Sequence, residues 1–332
     1  MCASFHPRLI NLPFDDPGVF VPFRFEKRAI LFDLGTADAL SSRDMLKISH
    51  VFISHTHMDH FVGFDRLLRL CLGREKELCL YGPPGFLKNI GGKLTAYSWN
   101  LVQNYPNWFA LRATEVHPDH VLSQEYLCQH RFMPRNAPTR HPFDGILLRE
   151  PALTVSCALL DHHIPCLGFR LAESFHVNII REKLDALNLS VGPWLKTFKD
   201  ALTAGKDPAA PFEVPDGQRF TLGDLADQIA MITPGQKMAY ITDAVYSPSN
   251  AEKIIRLARG VSHLFIEAAF LEAEAELAEK KYHLTARQAG ELAGKAGARQ
   301  FTIFHFSPRY TDMETQLYDE AQKAYNTAIQ GH

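Results

Sequence analysis

Three imidazoles and a carboxylate stand within six positions in Ser54-His55-Thr56-His57-Met58-Asp59-His60, directly behind the apolar run Val51-Phe52-Ile53. A buried strand over that run would deliver all four donors together onto one loop. Neutral imidazole and carboxylate are borderline-to-hard ligands suited to zinc, and with less preference to manganese or iron. Chance rarely places four such donors on so short a polar turn, so the stretch reads as the seed of a metal site.

Further donors sit where other apolar runs end. Leu153 to Leu160 reads as a strand closing on Asp161-His162-His163, Met238 to Thr242 as one ending in Asp243, and Val261 to Ile266 as one terminated by Glu267. Phe301 to Phe304 is the last strand and runs into His305. His283 stands just ahead of a helix that Thr285 and Gln288 open as a capping box, which puts it on a loop.

The elements that must position these donors follow an α/β rhythm. Val19 to Phe25 and Ala29 to Asp33 form a hairpin pattern with a turn at Gly35, Phe64 to Leu72 spaces its apolar residues as an amphipathic helix, and Leu78 to Tyr81 returns as a strand. Ser249-Asn250-Ala251-Glu252 has the form of a capping box, and Thr311 and Glu314 open the C-terminal helix. Two stretches stand apart. Residues 128–149 carry Arg131, Arg135, Arg140 and Arg149 against the single acid Asp144, a loop-rich basic segment suited to a lid, a polyanion contact or a solvated surface. Residues 173–218 read as two short helices and a Pro/Gly-rich connector, an excursion from the main fold.

The chain has 332 residues, 46% of them hydrophobic and 22% charged, which is ample material for a globular core. Its formal net charge of −2 provides no global field for nucleic acid, so a polyanion needs a local patch. The opening Met1-Cys2-Ala3-Ser4-Phe5-His6-Pro7 lacks the pattern of a signal peptide, and no window carries about eighteen uninterrupted apolar residues, so a cytoplasmic enzyme without a membrane span is expected. Six cysteines lie scattered without a Cys-x-x-Cys pair, which argues against a zinc ribbon or a disulfide framework.

The His-x-His-x-Asp-His loop, a strand-end histidine, a strand-end aspartate and a late strand-end histidine occur in the order of the metallo-β-lactamase superfamily. Within it the chain most resembles ribonuclease Z, the endonuclease that trims tRNA 3′ trailers. The residues that carry the likeness are His55-Thr56-His57-Met58-Asp59-His60, Tyr81-Gly82-Pro83-Pro84-Gly85, His162 with Gly168-Phe169-Arg170, Ile241-Thr242-Asp243, Glu267-Ala268, His283 before Thr285-Ala286, and His305-Phe306-Ser307-Pro308-Arg309-Tyr310. The sequence departs from the family pattern in Thr36-Ala37-Asp38 after Gly35, in Glu267-Ala268-Ala269 and in His283-Leu284-Thr285.

The resemblance implies an αββα sandwich over residues 1–332, with residues 173–236 as an inserted arm. It implies two zinc ions, manganese or iron being the other candidates. His55, His57 and His162 would hold one ion, Asp59, His60 and His305 the other, and Asp243 would bridge them. A hydroxide shared by the two ions would attack a phosphodiester, with Asp59 directing it, His283 as proton donor and Glu267 orienting His283. A tRNA precursor is the expected substrate and a homodimer the expected assembly. A small cyclic phosphodiester, thioester or lactone is the alternative substrate.

Overall fold

The computed structural model describes residues 5–24, 26–215 and 217–331. The first half of the chain builds an eight-stranded sheet whose spatial order is its chain order: β1 (Arg8–Leu9), β2 (Val19–Pro22), β3 (Ala29–Phe32), β4 (Ile48–Phe52), β5 (Lys76–Gly82), β6 (Phe109–Val116), β7 (His120–Leu127) and β8 (Thr139–Pro142). β3, β4, β5 and β6 run parallel. The hairpin expected around residues 19–33 is the antiparallel β2–β3 pair.

A second sheet begins with β9 (Ile146–Arg149), β10 (Leu153–Asp161) and β11 (Pro165–Glu173). The chain then leaves on a two-stranded ribbon of β12 (Phe175–Ile179) and, on its return, β15 (Ala230–Pro234). Between them lie the helices Arg181–Ala186, Trp194–Thr203 and Leu222–Ile229 and a small hairpin of β13 (Pro211–Glu213) and β14 (Arg219–Thr221). Leu184, Trp194, Phe198, Leu225 and Ile229 give this excursion an apolar cluster of its own. Three parallel strands, β16 (Lys237–Ile241), β17 (His263–Glu267) and β18 (Phe301–Phe304), complete the second sheet in the order β18-β17-β16-β11-β10-β9.

The two sheets pack face to face, and strand alternation explains why their apolar runs are unbroken. On β3, Ile30 and Phe32 enter the layer between the sheets while Ala29 and Leu31 face the layer beneath the helix Phe64–Cys71. On β16, Met238 and Tyr240 enter the inter-sheet layer while Ala239 and Ile241 face the helices Pro248–Leu257 and Ala286–Lys295. Three layers of core thus separate four layers of secondary structure, the αββα sandwich of the metallo-β-lactamase fold.

Two helix starts differ from the sequence expectation. The helix Pro248–Leu257 is capped by Ser247, whose hydroxyl accepts from Asn250 N, because Pro248 takes the first helical position, where it loses no hydrogen bond. The C-terminal helix Glu314–Gln330 starts without a side-chain cap; Thr311 closes the turn at Pro308–Tyr310 by donating to Pro308 O. The box at Thr285 and Gln288 is present in both directions. The basic segment lies on exposed β8, on β9 and on the turns around them, with Arg140 paired to Asp119 and Arg149 to Asp144. No helix among the described residues is long and apolar enough to cross a membrane.

Candidate metal centre

Parallel strands deliver their C-terminal ends to one edge of a sheet, and the donors read from the sequence collect there. His55 follows β4, His162 follows β10, Asp243 follows β16, Glu267 ends β17 and His305 follows β18. Asp33, Asp243 and His305 each leave their strands with positive φ, at 54°, 42° and 62°. Such left-handed residues cost about 1–3 kcal/mol each and cluster at functional sites. Here the turn swings each side chain over the sheet edge.

Three groups of donor atoms each converge within 4.8 Å: His55, His57, His162 and Asp243; Asp59, His60 and His305; and Asp243, Glu267, His283 and His305. Asp243 is central to the first group. Its Oδ2 lies 3.5 Å from His55 Nε2, 3.4 Å from His60 Nε2 and 3.4 Å from His162 Nε2. His305 spans the other two, with Nε2 3.2 Å from Asp59 Oδ2 and Nδ1 3.1 Å from Asp243 Oδ1.

The far nitrogens of these rings are already engaged, which fixes their tautomers. His60 Nδ1 donates to Asp33 Oδ2 at 2.8 Å, and His162 Nδ1 donates to Tyr282 O at 2.8 Å. His55 Nδ1 lies 3.1 Å from Ser54 Oγ, whose own proton goes to Asp33 Oδ2. Each Nε2 is therefore left as a lone-pair donor facing the centre. His55 Nε2, His60 Nε2 and His305 Nδ1 are buried with no hydrogen-bond partner, an expensive condition unless a cation takes the lone pairs. This donor set fits a divalent metal.

Glu267 differs although it lies within the third group. Its Oε1 accepts from Ala244 N at 2.8 Å and from Leu284 N at 3.3 Å, and its Oε2 accepts from His283 Nδ1 at 2.8 Å. Both oxygens are used in bracing the loop and the imidazole.

The electrostatics divide the histidines. Burial, reinforced by His60, pushes the His55 imidazole down to about 2. Burial also favours neutral His305, but Asp243, Asp59 and Glu267 outweigh it and raise the ring to about 10. His283 is raised against burial by Glu267 and Asp243. Burial would lift Asp59, yet hydrogen bonds from His305 and His60 hold it well below the usual carboxylate range.

Several residues that build the site were not singled out by type and spacing. Asp33, wholly buried, accepts from Ser54 N, Ser54 Oγ, His60 Nδ1 and Tyr240 Oη. Tyr240 reaches it from the other sheet. Asn250, also buried, clamps the end of β10 by accepting from Asp161 N and donating to Asp161 O and Val245 O. His163 is exposed and stacks on Tyr282.

A Deinococcus radiodurans ribonuclease Z is 33% identical over 289 residues, covering 86% of this chain and 84% of that protein. The chain belongs to the ribonuclease Z family. As a member it is a metal-dependent hydrolase. The fold agrees with a Bacillus subtilis metallo-β-lactamase fold protein, YhfI, at TM-score 0.56 and 14% identity, covering 97% of this chain and 94% of that one. It also agrees with human tRNase Z, short form, at TM-score 0.51 and 17% identity, covering 93% of each chain. No family model matches the sequence.

Proposed function

We propose that this member of the ribonuclease Z family removes 3′ trailers from tRNA precursors as a zinc-dependent phosphodiesterase. The observation that carries the reading is the convergence of seven donors, Asp243 among them, with a braced imidazole, His283, beside them. His55, His57 and His162 would hold one zinc ion and Asp59, His60 and His305 a second, with Asp243 available to both. Divalent ions there supply Lewis acidity, acidifying water and offsetting charge on the phosphoryl oxygens.

The chain's own groups set direction and protons. Asp59, kept ionised and partly open to solvent, accepts a hydrogen bond from the attacking water and aims its oxygen at phosphorus. As the P–O3′ bond breaks, the electron pair leaves on O3′ and a proton passes to it from His283. The products are a 3′-hydroxyl on the tRNA and a 5′-phosphate on the trailer. Glu267 raises the His283 pKa against burial and holds the ring pointed, at 2.8 Å.

The excursion over residues 173–236, raised on its ribbon and carrying a separate apolar cluster, is assigned as an arm inserted into a single domain that grips RNA away from the centre. A homodimer working in the cytoplasm completes the reading, and the mass in solution tests the dimer. The decisive assay presents zinc-loaded protein with a trailer-bearing tRNA precursor, a generic phosphodiester, a thioester and a lactone. Cleavage of the precursor leaving a mature 3′-hydroxyl is expected. Thioester or lactone turnover with inert phosphodiesters would sink the reading.

A further inference from the structure

Beside His162 two rings stack on each other from left-handed backbone conformations, uncommon for any residue but glycine and strained for a tyrosine. The ring centroids of His163 and Tyr282 lie 4.7 Å apart with planes 14° from parallel. Their φ values are 63° and 61°, in the left-handed region where glycine is free and a bulky side chain is strained. The main chain is held there by other contacts: His163 N donates to Asp161 Oδ1 at 2.8 Å, Tyr282 N donates to Glu279 O at 3.0 Å, and Tyr282 O receives His162 Nδ1. A glycine at 282 would present the same carbonyl without strain. The carbonyl therefore does not account for the phenol ring.

The position of the stack suggests what the ring is for. His163 is exposed and Tyr282 is half-buried, and the Tyr282 hydroxyl has no hydrogen-bond partner among the described residues. His283 lines a cleft of about 370 Å³ with Phe270, Lys281, Phe306 and Arg309, and the lining includes neither His163 nor Tyr282. The His283 ring has the His162 ring 5.0 Å away, and Tyr282 follows at 6.3 Å from His162. A phosphodiester carries a nucleoside on each side of phosphorus. The cleft offers a place for one, and the stacked rings offer an aromatic face for the other.

We propose that the His163–Tyr282 stack is a nucleobase platform that holds the base of one nucleotide flanking the scissile phosphodiester. The proposal rests on the ribonuclease reading above and adds a binding residue to it. Every base has a π-face, so a stacking platform tolerates any sequence, as a processing enzyme with varied substrates requires. The free phenol hydroxyl leaves a donor for the adjoining sugar or base edge. The two rings brace each other at 4.7 Å, which fixes the plane of the platform.

The experiment compares wild type, Tyr282→Gly and His163→Ala. Glycine is unstrained at this φ, so Tyr282→Gly keeps the main-chain carbonyl that receives His162 Nδ1. Both variants are expected to raise KM for a trailer-bearing tRNA about tenfold or more, the scale of a lost base–aromatic stack, with a smaller effect on kcat. An abasic residue on one side of the cleavage site should reproduce that loss in wild type and add nothing in Tyr282→Gly. A structural role acting through His162 would instead lower turnover of RNA and of a base-free phosphodiester equally, and would reduce bound metal; that result overturns the proposal. A second readout needs no cleavage: an RNA oligonucleotide with 2-aminopurine beside the scissile position is quenched on binding to wild type and less so on the variants. Equal quenching overturns the platform. Quenching by wild type without cleavage of any RNA would instead overturn the ribonuclease reading and leave the platform standing.

Discussion

His283 Nδ1 donates to Glu267 Oε2 over 2.8 Å, and Glu267 is wholly buried behind it. Burial alone would drive the imidazole toward its neutral form, and the carboxylate reverses that. Glu267→Gln keeps an oxygen for the amides of Ala244 and Leu284 but removes the charge. The His283 pKa then falls, its acid form is lost at lower pH, and the alkaline limb of the kcat profile moves toward acid. Metal content should stay at the wild-type value. An alkaline limb that does not move would mean that Glu267 does not control the proton donor.

His283 and Asp243 lie within one donor group but should respond differently to removal. His283→Ala is expected to keep its metal and to lose about 10²–10⁴ in turnover, the usual worth of a positioned proton donor. Asp243→Ala removes the carboxylate on which three Nε2 atoms converge and should release at least one ion. Elemental analysis beside kinetics separates the two roles. Metal loss in the first variant, or two tightly bound ions in the second, would reverse the assignment.

Asp33 stands outside the donor groups, yet the orientation of His60 depends on it. In Asp33→Asn the side chain can still accept from Ser54 N, but its amide offers His60 Nδ1 a donor where an acceptor was. The ring is freed to change tautomer, and metal affinity should fall about 10–100-fold, the scale of losing a ligand's outer partner. Asp33→Ala also orphans the Tyr240 and Ser54 hydroxyls, and stability should fall by about 2–4 kcal/mol through unpaired buried donors. Competition with a chromophoric chelator and thermal melting measure the two effects. Unchanged affinity in the asparagine variant would free His60 from this control.

The difference between Asp33 and His55 marks how far the sequence could be read. His55 was legible because metal ligands advertise themselves by type, and an apolar run immediately before them says that a strand brings them in. Asp33 also ends an apolar run, but one carboxylate there has no feature that distinguishes a turn residue from an orienting one. Its partner Tyr240 is 207 positions away and reaches it only because two sheets pack face to face. Tyr282 contributes through a main-chain carbonyl, which carries no side-chain signature. An α/β rhythm was legible from strand and helix periods, and the αββα order came from the family likeness alone. The β12–β15 ribbon was not, because its partners are separated by the whole excursion and β15 has two exposed apolar residues, Met231 and Ile232.

The seam between the helices Ala286–Lys295 and Glu314–Gln330 depends on absent side chains. A Cβ at Gly290 would stand 2.0 Å from the carbonyl oxygen of Ala321, a backbone atom with nowhere to move. Gly290→Ala gains helix propensity but forces the helices apart, and overpacking of this kind costs about 1–3 kcal/mol. The expected net result is a lower melting temperature. An unchanged or raised value would mean that the C-terminal helix is loosely docked.

Protons and metal compete for the same lone pairs, and the raised histidines say in which direction. Without bound ions, His305 is held at about 10 by Asp243, Asp59 and Glu267 against burial, and His60 is raised by Asp243 and Asp33 against burial. The His305 ring is then an imidazolium at pH 8, whereas a metal ligand must be neutral. Loading zinc at pH 8 should therefore expel protons, visible as a calorimetric heat that changes with the ionisation enthalpy of the buffer. Acidification should release metal. The stability of the chelator-treated protein follows from the same shift: a pKa raised from 6.5 to about 10 adds stability that is fully present below pH 6.5 and is lost as pH rises through 10. Melting temperatures of the treated protein should fall across that window, while the zinc-loaded protein, with His305 held neutral as a ligand, should not show this dependence. Zinc binding with no proton release at pH 8 would show that His305 is already neutral, and that the carboxylates around it do not control the site.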